Sequence, residues 1–344
     1  MNPAKRFTSL SIDRRTVAIV QAATVRGIHP IIMEKDFWVS WLLGVLFSEP
    51  KLRSHIVFKG GTSLSKVYKI IDRFSEDVDL SISPAFVGVD VDAFEKITSR
   101  SGRDAAMRRM QQLCCEKAKE TIAPLLESAI TRFLGEPPHG FWLTQEEDQQ
   151  TRTPVIFFHY PGAATTGMDY IRRNVKLELG SLTDQQPTDR QAIRPWVAEV
   201  FPDVFDDWRC DVIALDISRT FWEKLTILHC EFHRPEDQPT PDRYARHYSD
   251  VSRLLTHQDA PVFIANKLLA TRVSEWKSKV FARRWARYDT ARHGTLRLVP
   301  PEARRSALKK DYESMRPLFL NEPPSFEDVI RQLSVAEEKI NAPM

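Results

Sequence analysis

Between residues 14 and 50 apolar and polar positions recur at helical spacing. Phe37, Trp38, Trp41, Leu42 and Leu43 form a stripe behind Glu34, Lys35 and Asp36, which predicts an amphipathic helix packed on another element. The period then changes. His55–Phe58 is β-like, Gly60-Gly61 is a turn, about a dozen residues follow at helical spacing, and Val78, Leu80 and Ile82 alternate; the reading is strand, turn, helix, strand. Residues 104–134 return to the helical period with Met107, Met110, Cys114, Ala118 and Ile122 on one side, and Pro124 predicts a break into two helices. A polar loop over 136–153 precedes three strand candidates, Val155–Tyr160, Asn174–Leu179 and Val212–Ile217. From Ser218 the signals are helical: Phe221, Leu225 and Leu228 in register, a helix around Tyr244–Leu255, and a last helix opened by Ser325 three residues before Asp328.

This order of elements predicts an α+β chain, a mixed sheet flanked by helices followed by a C-terminal helical domain. The expected domains are 1–217, with an N-terminal helical element and inserted helices at about 104–134, and 218–344. A length of 344 residues at 42% hydrophobic suits two domains and excludes a disordered chain. The net charge of +3 excludes a global field for nucleic acid or membrane, but the charge is uneven. Residues 271–310 hold 12 Lys/Arg and 3 Asp/Glu, leaving 37 basic against 43 acidic residues elsewhere. Such a block is a solvated helix face or a track for a phosphate backbone. Cys114, Cys115, Cys210 and Cys230 have no CxxC spacing, the vicinal pair reads as core filler, and a reducing cytoplasm is the expectation. No apolar run approaches a membrane span or a secretion signal, so no membrane partner is expected.

The chemistry concentrates in Phe58-Lys59-Gly60-Gly61-Thr62-Ser63-Leu64-Ser65-Lys66 and Arg73-Phe74-Ser75-Glu76-Asp77-Val78-Asp79-Leu80. Two glycines between strand and helix allow close approach of a phosphate, although alone they fit an ordinary turn. On a strand, Asp77 and Asp79 share one face while Val78, Leu80 and Ile82 take the other. Two like charges so placed fit a solvated strand end or, beside a phosphate cradle, hard divalent cations. In Val175-Lys176-Leu177-Glu178-Leu179 the charged pair shares a face; Glu178 is a candidate third carboxylate, or Lys176 and Glu178 neutralise each other.

Gly-Gly-Thr/Ser and DxD separated by one helix resemble the nucleotidyltransferase superfamily, and the full string resembles the AbiEii/AbiGii toxin family of bacterial type IV toxin–antitoxin and abortive-infection systems. Met33-Glu34-Lys35-Asp36-Phe37-Trp38-Val39, Phe221-Trp222-Glu223-Lys224-Leu225, Arg243-Tyr244-Ala245-Arg246-His247-Tyr248-Ser249-Asp250, Arg284–Asp289 and Asp311–Arg316 extend the resemblance over roughly residues 31–340.

The resemblance implies a nucleotidyltransferase fold with its cleft between the two domains and Mg²⁺-dependent transfer of a nucleotide from an NTP to an acceptor hydroxyl, most simply the tRNA 3′ end, with growth arrest as the outcome. It implies catalytic motifs at Ser75, Asp77, Lys224 and Asp250, NTP binding by Lys59, Gly60, Gly61, Thr62 and Ser63, and two Mg²⁺ on Asp77 and Asp79; Glu178, the candidate third carboxylate read from its own strand, would be a further ligand. Lys224 would meet a triphosphate oxygen, and Asp250 would orient it or act as a base, or else pair with Arg246. A cognate antitoxin encoded nearby is the expected partner, and the 271–310 block is the place for RNA phosphates. Where the family commonly runs tyrosine-aspartate-leucine, this chain has Ser249-Asp250-Val251, which keeps the acid and loses the neighbouring aromatic. His229 and His233 stand at i and i+4, a zinc spacing, but without the adjacent glutamate or a third ligand they read as ordinary helix-end histidines. Two other classes stay open: a nucleotide-binding defence or regulatory module without turnover, and transfer to a protein or small molecule.

Overall fold

The computed structural model describes residues 4–138, 140–149, 151–163, 171–182, 184–281 and 283–343. The chain divides into two compact units, one of residues 1–67 and 74–215, the other of residues 68–73 and 216–344.

The first unit is a seven-stranded mixed sheet with helices. Its strands are β1 (Ile56–Lys59), β2 (Asp77–Ile82), β3 (Leu143–Glu147), β4 (Pro154–Phe158), β5 (Val175–Gly180), β6 (Thr188–Ala192) and β7 (Asp211–Leu215), in the order β3-β4-β5-β2-β1-β7-β6. β2 lies antiparallel to β1 and parallel to β5, and β1 is parallel to β7. Alternation marked the central strands because Val78, Leu80, Val175, Leu177 and Leu179 are buried. β3 and β6 fall where loops were expected: both are edge strands, and the sequences Leu-Thr-Gln-Glu-Glu and Thr-Asp-Arg-Gln-Ala carry no apolar alternation.

The N-terminal pattern gives two helices, α1 (Ile12–Arg26) and α2 (Pro30–Ser48), where one amphipathic stripe was expected. Gly27 at φ +66° ends α1 and Pro30 opens α2. Moreover α2 is buried from Ile31 to Phe47 on every side, as befits a helix apolar nearly all round. Its acidic start is buried with partners. The Lys35 ammonium reaches Glu76 at 2.8 Å and the Arg172 carbonyl at 2.9 Å. Asp36 accepts from Lys66 at 2.6 Å and from the Trp196 N–H at 2.7 Å, and Glu34 accepts from the Ala163 N–H. Burial pushes the Asp36 carboxyl up and the Lys66 ammonium down, with each charge opposing the other's shift. The Glu-Lys-Asp string is thus a clamp: Lys35 holds the residue before Asp77, and Asp36 holds the last residue of α3 (Gly60–Lys66).

α3 spans 7 residues rather than about a dozen. α4 (Arg100–Lys117) runs through a π-helical turn, Ala118–Ile122, into α5 (Ala123–Leu134), so the interruption expected at Pro124 is a π-turn just before it in one continuous helical run. Cys114 is buried and its thiol is pushed up to about 11 by burial, whereas Cys115 is only half-buried, so one of the two is core filler.

The second unit is helical: α6 (Ile217–Phe232), α7 (Ala245–Leu255), α8 (Lys267–Val280), α9 (Glu302–Ser314) and α10 (Phe326–Asn341). Asp216 caps α6 through the Ser218 N–H, and Ser325 caps α10 through the Asp328 N–H. The excursion 68–73 belongs here because the Leu320 N–H donates to the Asp72 carbonyl and Arg73 bridges to Phe319. Much of the basic block is engaged within the protein among the described residues: Arg304 is buried on backbone carbonyls, Lys277 donates to the Glu223 carbonyl, and Arg287, Arg297, Arg305 and Lys309 pair with Asp289, Glu337, Glu302 and Glu327. Among the described residues no single helix is long and apolar enough to cross a membrane.

Candidate active site

In the first unit the glycine turn and the carboxylate strand are built against each other. Gly60 has φ +77°, and a Cβ there would stand 2.0 Å from Asp79 Oδ2, so both conformation and space exclude a side chain. The Thr62 hydroxyl, fully buried, donates to the Asp77 carbonyl and shares a 2.9 Å hydrogen bond with the Ser75 hydroxyl. The Ser63 hydroxyl donates to the Gly60 carbonyl at 3.1 Å. Thr62, Ser63 and Ser75 therefore shape the turn with their side chains, and Gly60 lets its backbone pack directly against Asp79.

Register settles which charges are neighbours. Asp79 lies opposite Lys59 on β1 and Glu178 on β5, while Asp77 lies opposite Lys176. Cross-strand partners share a face, so Lys59, Asp77, Asp79, Lys176 and Glu178 form one charged patch. Lys176 meets Glu178 at 2.5 Å. Burial draws the Lys176 ammonium down, but the bond to Glu178 and the charges of Glu178 and Asp77 outweigh it and leave it more basic than usual. Glu178 is therefore ion-paired with its own strand neighbour while lying opposite Asp79 across β2 and β5. Among the described residues no group of three or more His, Cys, Asp or Glu side chains is gathered for a metal. Two carboxylates on one face beside the glycine turn still fit Mg²⁺, which takes one or two carboxylates and completes its shell with phosphate oxygens and water.

In the second unit Asp250 is the centre of a buried three-charge cluster. The Arg73 guanidinium grips it with both nitrogens, Nε to Oδ1 and Nη2 to Oδ2 at 2.8 Å each, and the Lys224 ammonium lies 2.8 Å from Oδ2. Burial alone would push the Asp250 carboxyl up; Arg73 and Lys224 overturn this and hold it far below the usual carboxylate range. The Lys224 ammonium is pushed down by burial, with Asp250 opposing. Arg246 is not the ion-pair partner that the spacing offered. Arg73, which sequence reasoning passed over, is the partner, and no local signal marks it, because the acids at helical spacing from it are Glu76 and Asp77.

His229 is buried in α6 with both ring nitrogens occupied. Nδ1 accepts from the Arg297 N–H at 3.0 Å and Nε2 lies 3.0 Å from the Arg287 carbonyl, which makes Nε2 the protonated nitrogen of a neutral ring. Burial pushes its pKa down to about 4 from 6.5. The unfolded chain binds the proton first as pH falls, so the ring's contribution is complete above pH 6.5 and drains away toward pH 4. The difference corresponds to about 3 kcal/mol. Urea unfolding between pH 7 and pH 4.5 should show this slope in the wild type and a flatter one in His229→Gln; equal slopes would refute it.

The family description that the chain matches is "Nucleotidyl transferase AbiEii toxin, Type IV TA system", over residues 41–332. Among solved structures, MenT4, a nucleotidyltransferase toxin from Mycobacterium tuberculosis H37Rv, aligns with a TM-score of 0.44 at 16% identity, covering 95% of this chain and 99% of that one. No curated protein matches in sequence.

Proposed function

Since the chain belongs to the AbiEii family of nucleotidyl transferase toxins of type IV toxin–antitoxin systems, we propose that it arrests growth by Mg²⁺-dependent transfer of a nucleotide from an NTP to the 3′ hydroxyl of tRNA in the cytoplasm. The observation that carries this reading is the contact of Gly60 with Asp79, where an added Cβ would lie 2.0 Å from Oδ2. A phosphate brought to the turn's backbone is thereby brought to the carboxylate pair.

In this reading the Gly60–Ser63 backbone receives the triphosphate, with Lys59 beside it. Asp77 and Asp79 would hold the metal, whose charge would neutralise the triphosphate. Glu178 enters that shell only if Lys176 releases it. Ser75 acts through Thr62, fixing the turn. Lys224 serves as a point charge toward a phosphate oxygen and Asp250 orients it; a carboxylate held so far down is a poor proton acceptor, which favours orientation over the role of base. Toward RNA, Arg283, Arg292 and Lys310 are the exposed members of the 271–310 block without an ion-pair partner among the described residues. The partly exposed pairs around them are each worth about 0–1 kcal/mol, so phosphates displace them at little cost.

The test is incubation of purified protein with Mg²⁺, each of four labelled NTPs, total tRNA and cell protein. Label at tRNA 3′ ends, lost with a chelator and blocked by periodate oxidation of the ends, is the expected result. Label confined to protein or small molecules would overturn the acceptor, and nucleotide binding without any product would overturn turnover. A cognate antitoxin should restore growth of an expressing strain.

A further inference from the structure

At the opposite end of the sheet from the glycine turn, a cavity of about 430 Å³ is lined by Arg53, Arg190 and Arg209, with Asp211 as its one acid. Its place follows from register. β1 runs from Ile56 toward Gly60, β7 lies parallel to it with Ala214 opposite Phe58, and β6 pairs Arg190 with Ile213. Arg53, Arg209 and Asp211 therefore sit at the strand starts, whereas Gly60 and Asp79 sit where β1 ends. Gly44, Phe47 and Ser48 of α2, with Cys210 and Ile213, complete the wall.

We propose that this cavity is a second anion site, separate from the transfer site, that takes a compact phosphate-bearing ligand of the pyrophosphate class. Three guanidinium groups against one carboxylate leave an excess charge of two inside a concavity, where fields are focused. The end of α2 offsets this by about half an elementary charge at most. Asp211 is engaged by Arg190 at 2.7 Å, and both side chains are more than half exposed, so that pair is weak and yields readily to a phosphate. Among the described residues Arg53 and Arg209 have no ion-pair partner. Guanidinium forks match phosphate oxygens in pairs, which a flexible ammonium cannot do. The volume falls at the small end of ligand pockets, about 300–1,000 Å³, and convergence of three arginines on one hollow suits clustered phosphates better than an extended polyanion. Cys210, whose thiol burial pushes up to about 12, lines the cavity as an inert wall.

The experiment is calorimetric titration of the full chain with inorganic pyrophosphate in the presence of EDTA, which separates this site from metal-dependent binding. The expected result is saturable 1:1 binding that weakens as salt is raised, survives Asp77→Ala, and drops at least tenfold in Arg53→Gln/Arg209→Gln with its melting temperature unchanged. Nucleotide transfer in that variant should stay at the wild-type rate, which makes failure here distinguishable from failure of the transfer reading. Binding that is undiminished in the double variant, that vanishes in Asp77→Ala, or that is seen with tRNA and not with pyrophosphate would overturn the proposal.

Discussion

Asp77→Ala should reduce nucleotide transfer by about a thousandfold or more while leaving the melting temperature of the chain nearly unchanged. The size follows from what is lost: a group that fixes transition-state charge on a transferring phosphate is typically worth about 10³–10⁵ in rate. Stability should be spared because the side chain stands on the charged face of β2, while the fold rests on Val78, Leu80 and Ile82 on the other. Removing one of two adjacent carboxylates also relieves their mutual repulsion. Gly60→Ala tests the same site without touching a carboxylate. It should strain the turn and drive Asp79 from its place, so that transfer falls while Asp77 is intact. Full activity in Gly60→Ala would mean that the turn and the carboxylates are not one site.

The parts legible in the sequence were those whose signal is local. Gly60 and the alternation around Asp77 and Asp79 announce themselves over a few residues, because left-handed backbone and a two-residue period are written position by position. The boundary of α6 was legible within two residues through its apolar register. Long-range pairings were not legible. Nothing near Asp250 points to Arg73, which is 177 residues away, and the helix spacing pointed to Arg246 instead. The spacing of Lys176 and Glu178 allows either mutual neutralisation or Glu178 as a third carboxylate, and only the fold shows their 2.5 Å approach. The partners at the start of α2 were not legible for the same reason: Glu34, Lys35 and Asp36 stand in the sequence only as the residues before the apolar stripe, and it is the fold that places Glu76, Lys66 and the Ala163 amide around them.

Asp250→Ala should destabilise the helical unit by about 3–5 kcal/mol, the cost of stranding buried charge. The cluster holds two cations and one anion, so losing the carboxylate leaves Arg73 and Lys224 facing each other without compensation. The opposite substitution is milder. Arg73→Met leaves Asp250 still paired with Lys224, and the two charges then balance. The pH dependence has a definite sign: the folded carboxyl is depressed below its ordinary 3.8, so its stabilisation is complete above about pH 4 and is withdrawn as pH falls further. Urea unfolding of the full chain, followed by tryptophan fluorescence because Trp222 and Trp276 lie in this unit, reads the loss directly. Asp250→Asn, which keeps the shape and an acceptor, should lie between wild type and alanine and should show no acid limb from this position. The wild-type transfer rate should likewise show no limb from Asp250 between pH 5 and 8, because a group that stays ionised throughout orients Lys224 at every pH tested. A loss below about 1 kcal/mol in Asp250→Ala would place the cluster in the range of exposed ion pairs and remove its positioning role.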